Sequence, residues 1–399
     1  MNKHTKQNVL ILWLAQLISG MGDAIYQIAL MWLVLDLTGS AVITGLVAMS
    51  AYLPAMLFGL YAGVLTDRYN RMGIMIISNI SQALTVGVIP IIIAWGFNDA
   101  ILIGLLAFIR SSFSTLFPPA FNAFIPTLVK KEQLVKVNSF LTTSAQMAYF
   151  LGPALAGLLL GLIHLQYLFV FDAISFMFAI ALLVLVTKPG LSPPNRNQLH
   201  PWDELKSGIK YVFNHQFLGF LLSLTIVNNL FIMGPAIVGT PILVKQALNG
   251  TAKEYAFVEA GLALGMLIGS ALVFKIGSVF KNGILLTIGM VLDGLTYSIF
   301  YFANSVSTVF FLIIMHGIGI PMITISRTAI IQKQAPNNFH GRIFSMVHLA
   351  VIGMTALSSA MTGILASMID IRIIFMFIGL GAAACGFIGL ITPSLRELE

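Results

Sequence analysis

The chain has 399 residues, of which 58% are hydrophobic and only 9% charged, against roughly 25% charged in a soluble domain. Its 21 Lys and Arg outnumber 14 Asp and Glu. The single cysteine, Cys385, excludes disulfides and Cys-rich metal sites. There is no H-E-x-x-H, no phosphate-binding G-x-x-x-x-G-K-[ST] and no stretch polar enough for a large soluble domain, so enzyme readings fail on inventory and a cofactor is not expected.

A bilayer core of ~30 Å needs about 20 mostly apolar residues per helix. Spans are predicted at 8–36, 43–65, 73–95, 100–122, 138–163 and 165–187, then at 216–245, 253–275, 282–303, 306–330, 341–366 and 370–392. These twelve define an all-α membrane protein of two six-helix bundles, 1–187 and 216–399. The first apolar stretch is too long for a signal core and lacks a small-residue cleavage site, so it is expected to stay in the mature protein.

Orientation follows from the basic residues, because loops rich in Lys and Arg stay cytoplasmic. Lys245, Lys253 and Arg372 fall on one side of this threading, Arg110 lies inside a span, and Arg327 lies at a span's end. The remaining sixteen of the 21 Lys and Arg fall on the other side. Both termini and the linker 188–215 are therefore expected in the cytoplasm. The formal charge of +7 is read as a topology signal and not as nucleic-acid binding. Within the linker, Pro189, Pro193, Pro194 and Pro201 break helix, whereas Trp202, Leu205, Ile209 and Val212 recur at helical spacing and suggest a short amphipathic helix on the membrane.

An Asp, Lys or Arg at the centre of a span costs about 2.5–3.5 kcal/mol even on a lenient insertion scale, and is kept only with a partner or water. In span 1, Gln16, Gly20, Asp23 and Gln27 recur at steps of four, three and four, forming one polar stripe. That stripe must face a cavity or another helix, because lipid offers no hydrogen bonds. Arg110 lies at a similar depth in span 4 and could pair with Asp23. The pair reads either as a structural ion bridge or as a proton-exchanging site, with Asp23 the carrier and Arg110 its modulator.

Further along, Asp172 lies about two turns into span 6 and reads as structural. Asn228 and Asn229 fall in span 7, Glu259 near the outer end of span 8, Asp293 near the middle of span 9 and His316 in span 10, with His348 a weaker candidate in span 11. Asp293 reads first as helix packing, Glu259 as a secondary proton-site candidate, and His316 as either cavity-lining or a satisfied buried histidine. Tyr26, Met49, Phe113, Phe117, Phe231 and Met233 could form an adaptable apolar cargo surface. Gly261, Gly265 and Gly269 give a repeated G-x-x-x-G step for close helix contact within the fold.

The halves repeat weakly. At an offset of 206, the segment ending at Asn138-Ser139 matches that ending at Phe344-Ser345, Arg110 falls on His316, and Gly157 on Gly363. Asn228 and Asn229 fall roughly on Asp23, leaving the second half uncharged at that position. A duplicated six-helix unit is the kind of repeat carriers use to alternate access.

Between spans 2 and 3, Gly63-x-x-x-Asp67-Arg68-x-x-Arg71 resembles the signature loop of the major facilitator superfamily. Gly22-Asp23, the stretch Pro119-Ala120 to Val137-Asn138-Ser139, and Phe171-Asp172-Ala-Ile-Ser-Phe176 resemble the drug:proton antiporter group that holds macrolide-efflux and siderophore-export proteins. Span 5 carries Ala148-x-x-x-Gly152-Pro153-x-x-Ala156-Gly157, similar to the antiporter motif with Ala at two Gly positions. Around Arg110, Phe113 and Ser114 stand where that group has Gln and Gly. The resemblance implies the major facilitator fold and a cytoplasmic latch at Gly63, Asp67, Arg68 and Arg71, with Asp67 accepting from Arg71 or from N–H groups at a neighbouring helix start.

The expected protein is a monomeric secondary exporter of the cytoplasmic membrane, moving an amphipathic, drug-like or siderophore-like molecule against proton entry. Its cavity polars would be Gln16, Tyr26, Gln27, Asn228, Asn229 and His316. A lysophospholipid carrier, with lateral entry from membrane lipid, and a transport-inactive sensor or scaffold are the rival readings.

Overall fold

The computed structural model describes residues 3–130, 133–187, 206, 209–212, 214–277, 279–336, 339–396 and 398, apart from the side chains at 60, 67, 135, 216 and 341. Among these the secondary structure is helical throughout. The first seven helices are α1 (Lys3–Thr38), α2 (Ala41–Arg68), α3 (Arg71–Ala94), α4 (Ala100–Ser114), α5 (Phe117–Leu128), α6 (Leu134–Leu159) and α7 (Gln166–Val184). Then come α8 (Gln216–Gly234), α9 (Ala252–Ile276), α10 (Asn282–Ile299), α11 (Val306–Gln334), α12 (His340–Ala366), α13 (Ile371–Ile391) and the short α14 (Pro393–Arg396).

Eleven segments among the described residues are long and apolar enough to cross a membrane. The predicted span not among these eleven is the fifth, α6, whose 26 residues give ample length at 1.5 Å per residue. Its first half is diluted by Lys136, Asn138, Ser139, Thr142, Thr143 and Ser144, so it falls outside those eleven.

Span 4, predicted as one helix over 100–122, is two helices reaching Leu128. The helix stops at Ser114 and restarts with Pro in the first turn of α5, where a missing N–H costs nothing. The span predicted over 216–245 likewise changes character after Gly234. Wider π-type turns run over Pro235–Gly239 and Leu243–Ala247, because Pro235 and Pro241 cannot donate to the regular ladder.

Helix ends are set by local chemistry. Asn70 caps α3 by accepting from the Met72 and Gly73 amides, at 3.0 and 3.2 Å. Thr251 and Glu254 form a reciprocal capping box at the start of α9. The turn after α1 passes through Gly39 at φ +60°, a conformation in which a β-carbon would be strained.

The residues group into two compact units, one of 1–37 with 50–201, the other of 38–49 with 202–399. In the first, Leu12, Met75, Phe121, Phe124 and Leu141 bury a core joining α1, α3, α5 and α6. In the second, Leu221, Leu286, Met290, Ile330 and Ile343 join α8, α10, α11 and α12.

Glycines let these helices touch backbone to backbone. A β-carbon at Gly265 would strike the Ile314 carbonyl, one at Gly269 the Ile318 carbonyl, and one at Gly261 the Phe310 ring at 2.9 Å. The G-x-x-x-G step of α9 is thus spent on α11. Within the same unit, Gly45 at the start of α2 lies against the Gly363 backbone of α12.

Of the linker, residues 188–205 lie outside the described residues, including Trp202 and Leu205 of the predicted amphipathic helix. Val212 is buried in the second core, and Ile209 is exposed.

Candidate functional site

The first unit holds a charge cluster at membrane depth. Arg110, on α4, donates from one terminal nitrogen, Nη2, to Asp23 Oδ1 on α1 and, at 3.3 Å, to Asp172 Oδ2 on α7. Ser175, one turn after Asp172, donates to the Asp172 carbonyl at 2.7 Å and lies 3.4 Å from its Oδ1. The guanidinium is stacked 3.8 Å from the centroid of Tyr26 and 5.6 Å from that of Phe176, a geometry in which ring faces favour a cation.

The local sequence explains how three helices meet there. A β-carbon on Gly22 would collide with Ser175 Oγ and Asp172 Oδ1, so the glycine beside Asp23 admits the acid of α7. On the other side of α1, Gly20 faces Ala148 and Gly152 faces Ala24, bringing α6 close.

The two acids differ in access. The Asp172 side chain is 0% exposed, and that of Asp23 is 45% exposed. Asp23 opens onto a cavity of about 310 Å³ walled by α1, α3, α4, α5, α6 and α7. The polar stripe of α1 lines it, with Gln16 accepting from Ser144 at 2.7 Å and Gln27 donating to Tyr52. Phe117, Tyr149 and Phe176 supply aromatic wall.

Two cavity residues escaped sequence reasoning. Asn79 and Gln82 on α3 line the cavity, and the Asn79 Nδ2 and Gln82 Oε1 atoms have no partner among the described residues. The available signal was a polar pair spaced i, i+3 in an otherwise apolar span. Asp172 was noticed in the sequence, but its place as a third member of the Asp23–Arg110 site was not.

Other predicted residues lie elsewhere. Tyr26 is 4% exposed and packs beneath Arg110 instead of lining the cavity. Asn228, Asn229 and His316 belong to the second unit and are 4%, 7% and 1% exposed, packed among helices rather than open as cavity polars. Gly289 on α10 and Gly319 on α11 bring the two helices backbone to backbone beside Asp293. Asp293 contacts that histidine, with Oδ1 3.1 Å from Nδ1. Glu259 has no ion-pair partner among the described residues, and His348 is exposed.

At the signature loop, Arg71 donates to the Ala123 carbonyl of α5 at 2.8 Å. The first amides of α3 are taken by Asn70, one of the two partners expected for Asp67, the other being Arg71. The Asp67 side chain itself lies outside the described residues. Arg68 is exposed, and nothing lies within 4 Å of a β-carbon built on Gly63.

Two helical units, spans enough for a polytopic carrier and a charged cluster on an intramembrane cavity define a transporter of the major facilitator type. The solved structure of a mutant of the nucleoside transporter NupG overlays 96% of this chain and 99% of its own, with a TM-score of 0.78 at 11% identity, which speaks for the fold alone. The model of the transmembrane secretion effector family, a branch of the same superfamily, matches residues 4–399. The chain belongs to that family and is a multi-pass membrane transporter. Among curated relatives, macrolide efflux protein A of Streptococcus pyogenes is 26% identical over 392 residues, covering 97% of this chain and 96% of its own. Multidrug efflux pump Tap of Mycolicibacterium fortuitum is 25% identical over 410 residues, covering 99% of this chain and 98% of its own.

Proposed function

We propose that this protein exports amphipathic, drug-like small molecules, macrolides among them, against proton entry through Asp23. The carrying observation is the shared guanidinium. Two carboxylates on one Arg110 hold a net charge of −1 when both are ionised, and a net charge at this depth is costly. One proton makes the triad neutral. Asp172 is sealed while Asp23 faces the cavity, so Asp23 is the acid that can trade its proton with water or with a cationic group of the cargo.

The cavity suits such a cargo. Its volume is at the lower end of small-molecule sites, roughly 300–1,000 Å³, and it mixes aromatic wall with the amides of Gln16, Gln27, Asn79 and Gln82. The names of the efflux relatives support the same reading. Transport proceeds by alternating access of the two six-helix bundles in the cytoplasmic membrane, both termini cytoplasmic, with the Gly63–Arg71 loop acting as the inner latch of a functional monomer. The proton is the only co-transported species required.

The test is uptake of fluorescent amphipathic cations and macrolides into inverted vesicles under an imposed proton gradient. Wild-type uptake that disappears in Asp23→Asn, with both proteins folded, is expected. Equal uptake by both would remove Asp23 from coupling, and lipid movement without a proton gradient would replace drug export by lipid transport.

A further inference from the structure

The second unit carries a buried acid and base that the reading above leaves unused. Asp293 on α10 and His316 on α11 are 2% and 1% exposed. His316 Nδ1 faces three oxygens: Asp293 Oδ1 at 3.1 Å, the Asp293 carbonyl at 3.3 Å and Thr296 Oγ1 at 3.4 Å. The Thr296 hydroxyl already donates to the Leu292 and Asp293 carbonyls. A hydrogen on Nδ1 is taken by the Asp293 carbonyl and Thr296 Oγ1, while Asp293 Oδ1, in ion-pair distance of Nδ1, is buried without a hydrogen bond among the described residues.

The imidazole lies flat on Tyr297, with centroids 3.9 Å apart and planes 9° from parallel. From α8, the Asn228 side chain hydrogen-bonds the Asp293 carboxyl, while its own Oδ1 is buried without a partner among the described residues. Among the described residues no charged side chain on a neighbouring helix makes an ion pair with the two groups; α9 presents Leu262 and Gly265 to Gly317, and its acid, Glu259, has no ion-pair partner. At this level α11 presents Gly319, α13 presents Gly379 and Ala383 to Gly294, and α8 presents Asn228. Tyr297 is the other titratable group in contact, and among the described residues no Lys or Arg makes an ion pair with Asp293.

Charge counting gives the pair a defined proton content. Neutral acid with neutral imidazole, and carboxylate with imidazolium, are the same one-proton, net-neutral state. A second proton strands a positive charge at membrane depth, at a cost, whereas loss of the first leaves a carboxylate beside Asn228 that water must reach to solvate, so the pair cycles between empty and singly loaded. Two such groups titrate as a unit rather than separately. The weak internal repeat strengthens the comparison with the first unit. His316 occupies the position of Arg110, and Asn228 lies roughly at that of Asp23, so each unit builds a polar cluster from the same two helices of its repeat.

We propose that Asp293 and His316 form a second proton-binding site, one proton shared by the imidazole and the unsatisfied Asp293 Oδ1 beside it and exchanged with water reaching Asn228 Oδ1, which has no partner among the described residues. Proton uptake forms no bond beyond N–H or O–H and needs only water as donor and acceptor. The site lies in the unit that does not contain Asp23, so the protein carries two sites that load independently. The proton count does not depend on drug export, whereas the uptake measurement rests on that reading.

The test counts protons directly. Purified full-length protein in lipid nanodiscs is titrated between pH 9 and pH 5 with an indicator dye, comparing wild type, Asp293→Asn, Asp23→Asn and the double variant. Asp293→Asn should bind about one proton fewer than wild type, and the double variant about one fewer again than Asp23→Asn. An unchanged count in Asp293→Asn would make the pair a static bond and overturn the proposal. If that variant does not fold, His316→Gln replaces it with the same two outcomes. In reconstituted vesicles, Asp293→Asn should lower gradient-driven uptake at least tenfold while leaving cargo counterflow intact. Equal loss of both would assign the pair to structure. Absence of cargo uptake by wild type would count against the export reading alone, because the proton count is read without cargo.

Discussion

Replacing Arg110 by Met tests the charge cluster most directly, because it leaves Asp23 and Asp172 without their common partner. Asp23 can turn to the cavity, being 45% exposed, but Asp172 is 0% exposed and retains only Ser175. Breaking a buried pair by removing one member costs about 3–5 kcal/mol. At 1.4 kcal/mol per factor of ten this lowers the folded-to-unfolded ratio by between two and nearly four orders of magnitude.

The cost comes from the stranded charge and not from lost volume, so it has two signatures. Arg110→Met combined with Asp172→Asn should recover most of the loss. The deficit of the single variant should also shrink as pH falls, because a native state that binds more protons than the unfolded one gains stability at lower pH. The assay is denaturant or thermal unfolding in detergent micelles across pH 5–8 for wild type, both single variants and the double. A single variant as stable as wild type, or a double variant no better than Arg110→Met, would refute the reasoning.

Packing and orientation give two further expectations. Gly22→Ala drives a methyl into Asp172 and Ser175 and should cost about 1–3 kcal/mol by overpacking, whereas Gly63→Ala, with no neighbour within 4 Å, should be neutral in the same unfolding assay. In a Cys385→Ala background, Asn98→Cys in the turn after α3 should react with an impermeant maleimide added to intact cells, and Tyr69→Cys in the signature loop should not. The reverse pattern would invert the assigned topology.

How much of this was legible beforehand differs between fold and site. The spans, the polar stripe of Gln16, Asp23 and Gln27, and the matching depth of Arg110 could be read from the chain, because a polar group inside an apolar run is costly enough to announce itself. The break before Pro118 was also written in the sequence, as a proline pair that restarts a helix, but a continuous apolar run concealed it. The efflux character of the relatives agrees with the antiporter-group resemblance read from Gly22-Asp23 and the motifs of spans 4 to 6, whereas the roles of individual residues rest on the experiments above.

Composition and polar spacing by themselves determined that the protein is a polytopic membrane protein, which helices carry its charges, and at what depth; the internal repeat and the signature loop pointed to a carrier. Only the tertiary structure decided who meets whom: that Arg110 is shared by Asp23 and Asp172, that Asn79 and Gln82 face the same cavity, and that Asp293 joins His316. The reason is the solvent. A helix that is apolar all round carries no stripe to say which face turns inward, so partner choice falls to close contacts such as Gly22 against Ser175 and Gly289 against Gly319. Those contacts depend on shape across residues more than a hundred positions apart in the first case and thirty in the second, and they exist only once the helices have packed.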